Sequence, residues 1–384
     1  MCRSKVKGMV INMKFTCEKY LLLAAILTAS RAAVTKSPVP LLEGLLLEAE
    51  ADSIRISGFD LKTGIITTVP AEVSEEGGIV LNARLFGDII RKAPGHDVTI
   101  TVNTRNVTSI KSEASEFEII GSPTSDYPEL PAVEGEEYIE IGEALLKRMI
   151  AETNFAVSDN ESRPIHMGAL FETGGGELTV VAVDGFRLAL SREPIETNET
   201  QVLSFVVPGV ALSEVERVAT DGDGKVLITL GPKNIQFTIG DTILISRRLE
   251  GEFLNYKSTI PQSTKYNITV DKDEFIAAVE RVSLILSDKL KSPVKCVFEN
   301  GIIKLSTMSE LGKASDECDA TGDGENMEIG FNNKYLLEAL KAAPADKVKL
   351  ELTNGVTPCL ITSADDKNNF LYMILPVRLK AYEN

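Results

Sequence analysis

Histidine is nearly missing from this chain, and the shortage removes several kinds of chemistry at once. Only His96 and His166 occur among 384 residues, and they lie far apart in sequence. A histidine-rich metal centre is excluded by count, and a Ser/His/Asp triad would have to use one of these two. Cysteine is also sparse, with residues at 2, 17, 296, 318 and 359 and no CxxC spacing. An odd, scattered set reads as reduced thiols in a cytoplasmic protein, not as a disulfide framework. No apolar run reaches the roughly 18 residues of a membrane-spanning helix, so no membrane partner is expected.

Phosphate and metal loops are wanting as well. Gly174-Gly175-Gly176 has no GxxxxGK[ST] beside it and sits between strands, which predicts a hairpin turn. Asp221-Gly222-Asp223-Gly224 and Gly322-Asp323-Gly324 lack the spaced ligands and closing Glu of a calcium loop. The pairs Asp271/Asp273 and Asp365/Asp366 could hold Mg²⁺, but a helix start and a loop make capping and solvation the ordinary explanation. No catalytic constellation and no cofactor emerge. Excess positive charge is absent too: the formal net charge is −16, which argues against a simple basic nucleic-acid binder.

What is present is repetition. A strand-forming run followed by an amphipathic helix begins at Phe15, Val80, Ile139, Phe205, Ile268 and Ile329. Alternating strands follow each helix, as in Val98–Val102, Val226–Leu230 and Val348–Leu352, with the period of a half-buried sheet. One such unit is too small to bury a good core, so two should combine into each of three domains. Proline and acid cluster at Ser122–Pro131 with Glu134–Glu137, and a second break runs from Gly251 to Pro261. These place the domains at 13–131, 137–261 and 265–384, with 1–12 a disordered extension and Met13 the natural start. Equal domains in a row leave unpaired sheet edges at both ends, which a closed assembly would remove.

The helix windows 18–31, 82–93, 142–155, 209–219, 272–287 and 332–342 hold 12 Lys/Arg against 10 Asp/Glu, so the rest of the chain is far more acidic. Helices sharing one side would make that side comparatively basic; ordinary solvated faces explain the same count. Leu21–Ala29, preceded by Arg3, Lys5 and Lys7 and followed by small residues up to Ala33, imitates a secretory leader. Glu18 and Lys19 abut that stretch, and it occupies the slot of a helix that recurs five more times. Two segments exceed the needs of folding: Val181–Ala189, a strand with Phe186 and Arg187 at its tip, and the terminal run Phe370–Leu379. The second fits either a peptide-binding groove or a buried edge strand.

The MKFTCE opening at Met13, SRPIHMGALFET at 162–173, VDGFRLA at 183–189 and LPVRL at 375–379, set within three doubled domains, resemble the bacterial DNA polymerase III beta subunit, the sliding-clamp family. The resemblance runs from Met13 to Leu379. It implies an α+β DNA-clamp fold of three similar domains, each two helix-plus-antiparallel-sheet units, closing head-to-tail as a homodimeric ring. Helices would line the hole and sheets form the outside. The implied function is non-catalytic: a processivity factor that slides on duplex DNA, independently of sequence, and tethers the replicative DNA polymerase alpha subunit. The clamp loader complex, other polymerases and repair proteins with clamp-binding peptides are implied as further partners, and the cytoplasm as the location.

Residues carried over by position are Lys36, Arg84 and Arg163 for DNA, and Phe117, Ile285 and Leu286, the last two on the fifth helix, for the dimer junction. The implied peptide pocket takes His166, Val183, Gly185, Phe186, Arg187 and Leu188 from the central domain. Leu254 and Thr259 come from the following connection. Pro358, Met373, Ile374, Leu375, Pro376, Val377 and Arg378 come from the end of the chain. An apolar floor would take hydrophobic anchors, while Arg187 and Arg378 hold polar or acidic groups at the rim. Leu254 stands where the family commonly has proline, and Lys380–Asn384 extend past the usual terminus. Rival readings are a diverged clamp for repair or a mobile element, a carboxylate-dependent cytosolic α+β enzyme, and an exported repeat protein cleaved near Ala33.

Overall fold

In the computed structural model, the described residues are 13–135, 137–196, 202–286, 292–322, 324–365 and 369–379. The extension 1–12, Asp323, Asp366 and the tail 380–384 lie outside them. The six strand-then-helix units are all present. The helices are α1 (Lys19–Ala29), α2 (Ala83–Lys92), α3 (Glu143–Ala151), α4 (Gly209–Val218), α5 (Lys272–Ser283) and α6 (Asn333–Ala342), each entered from a strand.

Local chemistry explains where the helices start and stop. Asn82, Asp271 and Asn332 cap α2, α5 and α6 by accepting backbone N–H bonds from the first turn. Asp271 is therefore a capping residue. Three helices stop where a hydroxyl turns back onto the backbone four residues earlier: Ser30 onto Ile26, Thr153 onto Met149 and Ser283 onto Val279. As a result α3 and α5 are shorter than their windows 142–155 and 272–287, and Ile285 and Leu286 lie in the turn after α5, not on it. Gly175 (φ 62°) and Gly176 (φ 81°) make the two-residue turn between strands Gly168–Gly174 and Glu177–Val183, as the glycine run predicts.

All strand pairings are antiparallel and build three sheets, of 5, 8 and 12 strands. The two larger sheets run through the expected domain junctions. Thr242–Arg247 pairs with Thr63–Pro70, from Thr242 opposite Thr67 to Ser246 opposite Thr63. Arg187–Pro194 pairs with Phe370–Ile374, from Arg187 opposite Ile374 to Ser191 opposite Phe370. Because of this continuity the chain falls into two compact units, Met1–Ala144 with Glu214–Arg248, and Leu145–Ser213 with Leu249–Asn384. In the first unit, α1 and α2 bury Leu22, Ile26, Phe86 and Ile90 against Phe15, Leu45, Ile56 and Ile100. Such large apolar side chains, each worth about 1.5–3 kcal/mol when fully buried, hold the helices to one face of the sheets.

Candidate peptide pocket and DNA-facing residues

The pocket residues assemble around one hairpin. Glu177–Val183 and Arg187–Pro194 are joined by a turn in which the Asp184 carboxylate accepts the N–H groups of Phe186 (2.8 Å) and Arg187 (3.0 Å). Gly185 takes φ 93° there, a conformation that disfavours any side chain. The terminal strand Phe370–Ile374 lies beside Arg187–Ser191 and is flanked on its other edge by Cys359–Ser363. It is therefore an interior strand. Its neighbour is the second arm of the hairpin, so Val181–Val183 sits one strand further away. After Ile374 the chain leaves the sheet: the Leu375 N–H bonds the Phe186 carbonyl (2.9 Å) and the Val377 N–H bonds that of Gly330 (2.8 Å).

Strand alternation divides the pocket residues between two faces. Val183 is opposite Leu188, and Leu188 opposite Met373, so these share a face. They join a buried apolar cluster with Tyr256 and Leu360, against which Phe253 and Ile260 pack. Over this cluster runs the loop 251–260. There Leu254 is 41% exposed, and its carbonyl accepts the Tyr256 N–H at 2.7 Å. The Thr259 hydroxyl donates to the Tyr256 carbonyl at 2.8 Å. His166 is buried edge-on to Phe253, with centroids 5.6 Å apart. Burial, and then the charge of Arg163, hold its imidazole below the ordinary 6.5. Ile374, opposite Arg187, belongs to the other face, so one continuous apolar surface running through Leu188 and Ile374 is not what the sheet provides.

Arg187 also differs from the rim arginine expected. It is 7% exposed, and each of its three guanidinium nitrogens donates a hydrogen bond. Nε donates to Asp184 at 2.9 Å, one terminal nitrogen to Glu338 of α6, and the other to the Phe155 carbonyl at 2.6 Å. The guanidinium carbon lies 4.6 Å from the Tyr335 ring centre and 5.2 Å from that of Phe155. A planar five-donor fork fits this cage; a lysine would not. On top, Phe186 is 58% exposed and stacks on Tyr335 at 6.0 Å. Burial and the nearby charge of Asp184 raise the Tyr335 phenol above its ordinary value. Arg187 thus orients the turn, and the exposed apolar groups are Phe186, Leu254 and Leu375. Pro358, Pro376 and Val377 are half-buried and Arg378 is exposed. Tyr335, Glu338, Phe155 and Phe253 escape sequence reasoning because each sits in ordinary surroundings far along the chain from the hairpin.

Lys36, Arg84 and Arg163 are exposed, in a loop, on α2 and before the turn Pro164–Met167. None forms an ion pair among the described residues. Most other helix arginines do: Arg91 with Asp88, Arg148 with Glu152 and Glu193, Arg217 with Glu214, Arg281 with Asp316. Phe117 is 38% exposed on a strand that ends its sheet.

Doubled helix-on-sheet domains, joined through continuous antiparallel sheets, define the DNA-clamp class. Residues 13–131, 140–255 and 257–378 match the N-terminal, central and C-terminal domains of the DNA polymerase III beta subunit. The chain is 31% identical over 376 residues to the beta sliding clamp of Staphylococcus epidermidis, covering 95% of this chain and 99% of that one. Among solved structures it is similar to the DNA polymerase sliding clamp of Bacillus subtilis, with TM-score 0.92, 32% identity, and 96% and 100% of the two chains covered. It is also similar to the Pseudomonas aeruginosa clamp bound to griselimycin, with TM-score 0.91, 27% identity and the same coverages. The chain belongs to the DNA polymerase III beta subunit family.

Proposed function

We infer that the chain is a DNA polymerase processivity factor: two copies close into a ring that encircles duplex DNA, slides along it and tethers the polymerase, with no catalytic step of its own. One observation carries the ring. After every helix comes a run of strands, and it is the third that joins neighbouring domains. The third strand after α4 pairs with the third after α1, and the third after α6 with the third after α3. The two remaining members of this series are Ser115–Ile120, after α2, and Gly312–Thr321, after α5. Ser115–Ile120 ends its sheet, and Gly312–Thr321 has a second neighbour only at Ala320 and Thr321. A second copy, head-to-tail, satisfies both edges by the rule already used twice. Phe117, Ile285 and Leu286 are the apolar side chains assigned to that junction.

Lys36, Arg84 and Arg163 are assigned to phosphate contacts. Exposed cations that form no ion pair among the described residues suit sequence-blind binding by counterion release, and weak contacts permit sliding. The apolar cluster beneath Leu254 and the Phe186–Leu375 rim is assigned to peptide tails of the polymerase, the clamp loader and other polymerases and repair proteins, with Arg378 an exposed cation at its edge. The test is retention: loaded protein should stay on closed circular DNA and leave once the circle is cut. Equal loss from circular and linear DNA would refute the ring.

A further inference from the structure

Resting on that two-copy ring, we propose that Lys313 of each copy pairs across the junction with Glu118 or Glu116 of the next, and that this contact makes closure selective. The two edges are poor partners by charge. Their strands carry six charged side chains: Glu116 and Glu118 on one, and Lys313, Asp316, Glu317 and Asp319 on the other. Lys313 is the only cation among them. Asp316 is engaged by Arg281, and Glu116 by Lys111 at 3.0 Å. Lys313 and Glu118 are exposed and form no ion pair among the described residues.

Pleating decides what Lys313 meets. In the first strand Phe117 stands opposite buried Ile110, and Ile119 packs against the helix-covered core, so Glu116 and Glu118 point to the outer face. In the second, Ala314, Asp316 and Cys318 stand opposite buried Thr307, Leu305 and Ile303, so Lys313 points outward. Paired residues share a face, and both existing junctions keep this rule: Leu244 faces Ile65, both fully buried, and Ser191 faces Phe370, also both buried. Whichever even shift the new pairing adopts, Lys313 meets an outward residue of the acidic strand and Phe117 meets an inward one. Gly312 and Ala314 leave room for the phenyl ring; Asp316 is already committed to Arg281. Opposite charges facing each other across strands stabilise a pairing and like charges oppose it.

The dimer dissociation constant, measured by sedimentation across a dilution series, tests this in the full chain. Lys313→Glu should weaken the dimer at least tenfold at low salt, leaving the melting temperature of the monomer unchanged because the side chain is exposed. Adding Glu118→Lys or Glu116→Lys to Lys313→Glu should restore most of the affinity, and added NaCl should weaken the wild-type dimer. An unaltered Lys313→Glu dimer, or failure of both swaps to restore it, overturns the proposal. Phe117→Ala separates the two levels of the argument. If it gives folded monomers while Lys313→Glu still dimerises, the ion pair alone is wrong. If neither variant affects dimerisation, the junction itself is misassigned.

Discussion

Replacing Arg187 by Met should damage both the fold around the hairpin and the peptide pocket. Removing one member of a buried ion pair costs about 3–5 kcal/mol, because the charge left behind is stranded. Here the loss is tempered on one side. Glu338 is 35% exposed and can rehydrate, whereas Asp184 is 11% exposed and keeps only its two backbone N–H bonds. The Phe155 carbonyl loses its donor as well, at about 1 kcal/mol. The two stacking contacts with Tyr335 and Phe155 add about 1 kcal/mol more, while the methionine recovers part of the packing. A net destabilisation of about 3 kcal/mol follows, read as a lower urea midpoint at unchanged slope. Arg187→Lys should recover less than half of it, since an ammonium cannot reach Asp184, Glu338 and Phe155 together. Because Leu375 hangs from the Phe186 carbonyl, affinity for a polymerase tail peptide should fall in parallel. A variant within about 0.5 kcal/mol of wild type, in the range of an ordinary surface substitution, would refute the reading of Arg187 as the keystone of the turn.

Three further outcomes are expected. Changing Lys36 and Arg163 to Glu should reduce retention on circular DNA and flatten its salt dependence, measured against a scrambled duplex that wild type binds equally well. Deleting Leu375–Asn384 should abolish binding of a polymerase tail peptide by calorimetry. It should also cost about 2 kcal/mol of stability, because the Leu375 N–H no longer bonds Phe186 and the Val377 N–H no longer bonds Gly330. His166 should make the fold around Phe253 acid-sensitive: its folded-state value lies below 6.5. As pH falls through 6.5 the unfolded chain takes up the proton first, so stability is complete above that pH and is lost toward the lower folded value. His166→Gln should remove this step from a pH series of thermal melts.

The sequence by itself determined the sixfold strand-and-helix repeat, since a switch from period 2 to period 3.6 is a local property of consecutive residues. It also revealed the glycine turn at 175–176 and the cap at Asp271, because such signals act within a few residues. Helix ends were less legible. Ser283 and Thr153 look like ordinary polar residues until their hydroxyls are seen on the carbonyls of Val279 and Met149. The tertiary structure alone decided the partners of each sheet edge. It set Arg187–Pro194 beside Phe370–Ile374, although the second half of the central domain and nearly the whole third domain separate them in the chain. It turned Arg187 from a free cation into a buried one, because Glu338 and Tyr335 come from a helix that no local pattern links to the hairpin. Register across a sheet is set by which faces must be buried together. That requirement exists only once distant strands meet, and it places Leu188 and Ile374 on opposite sides of one sheet.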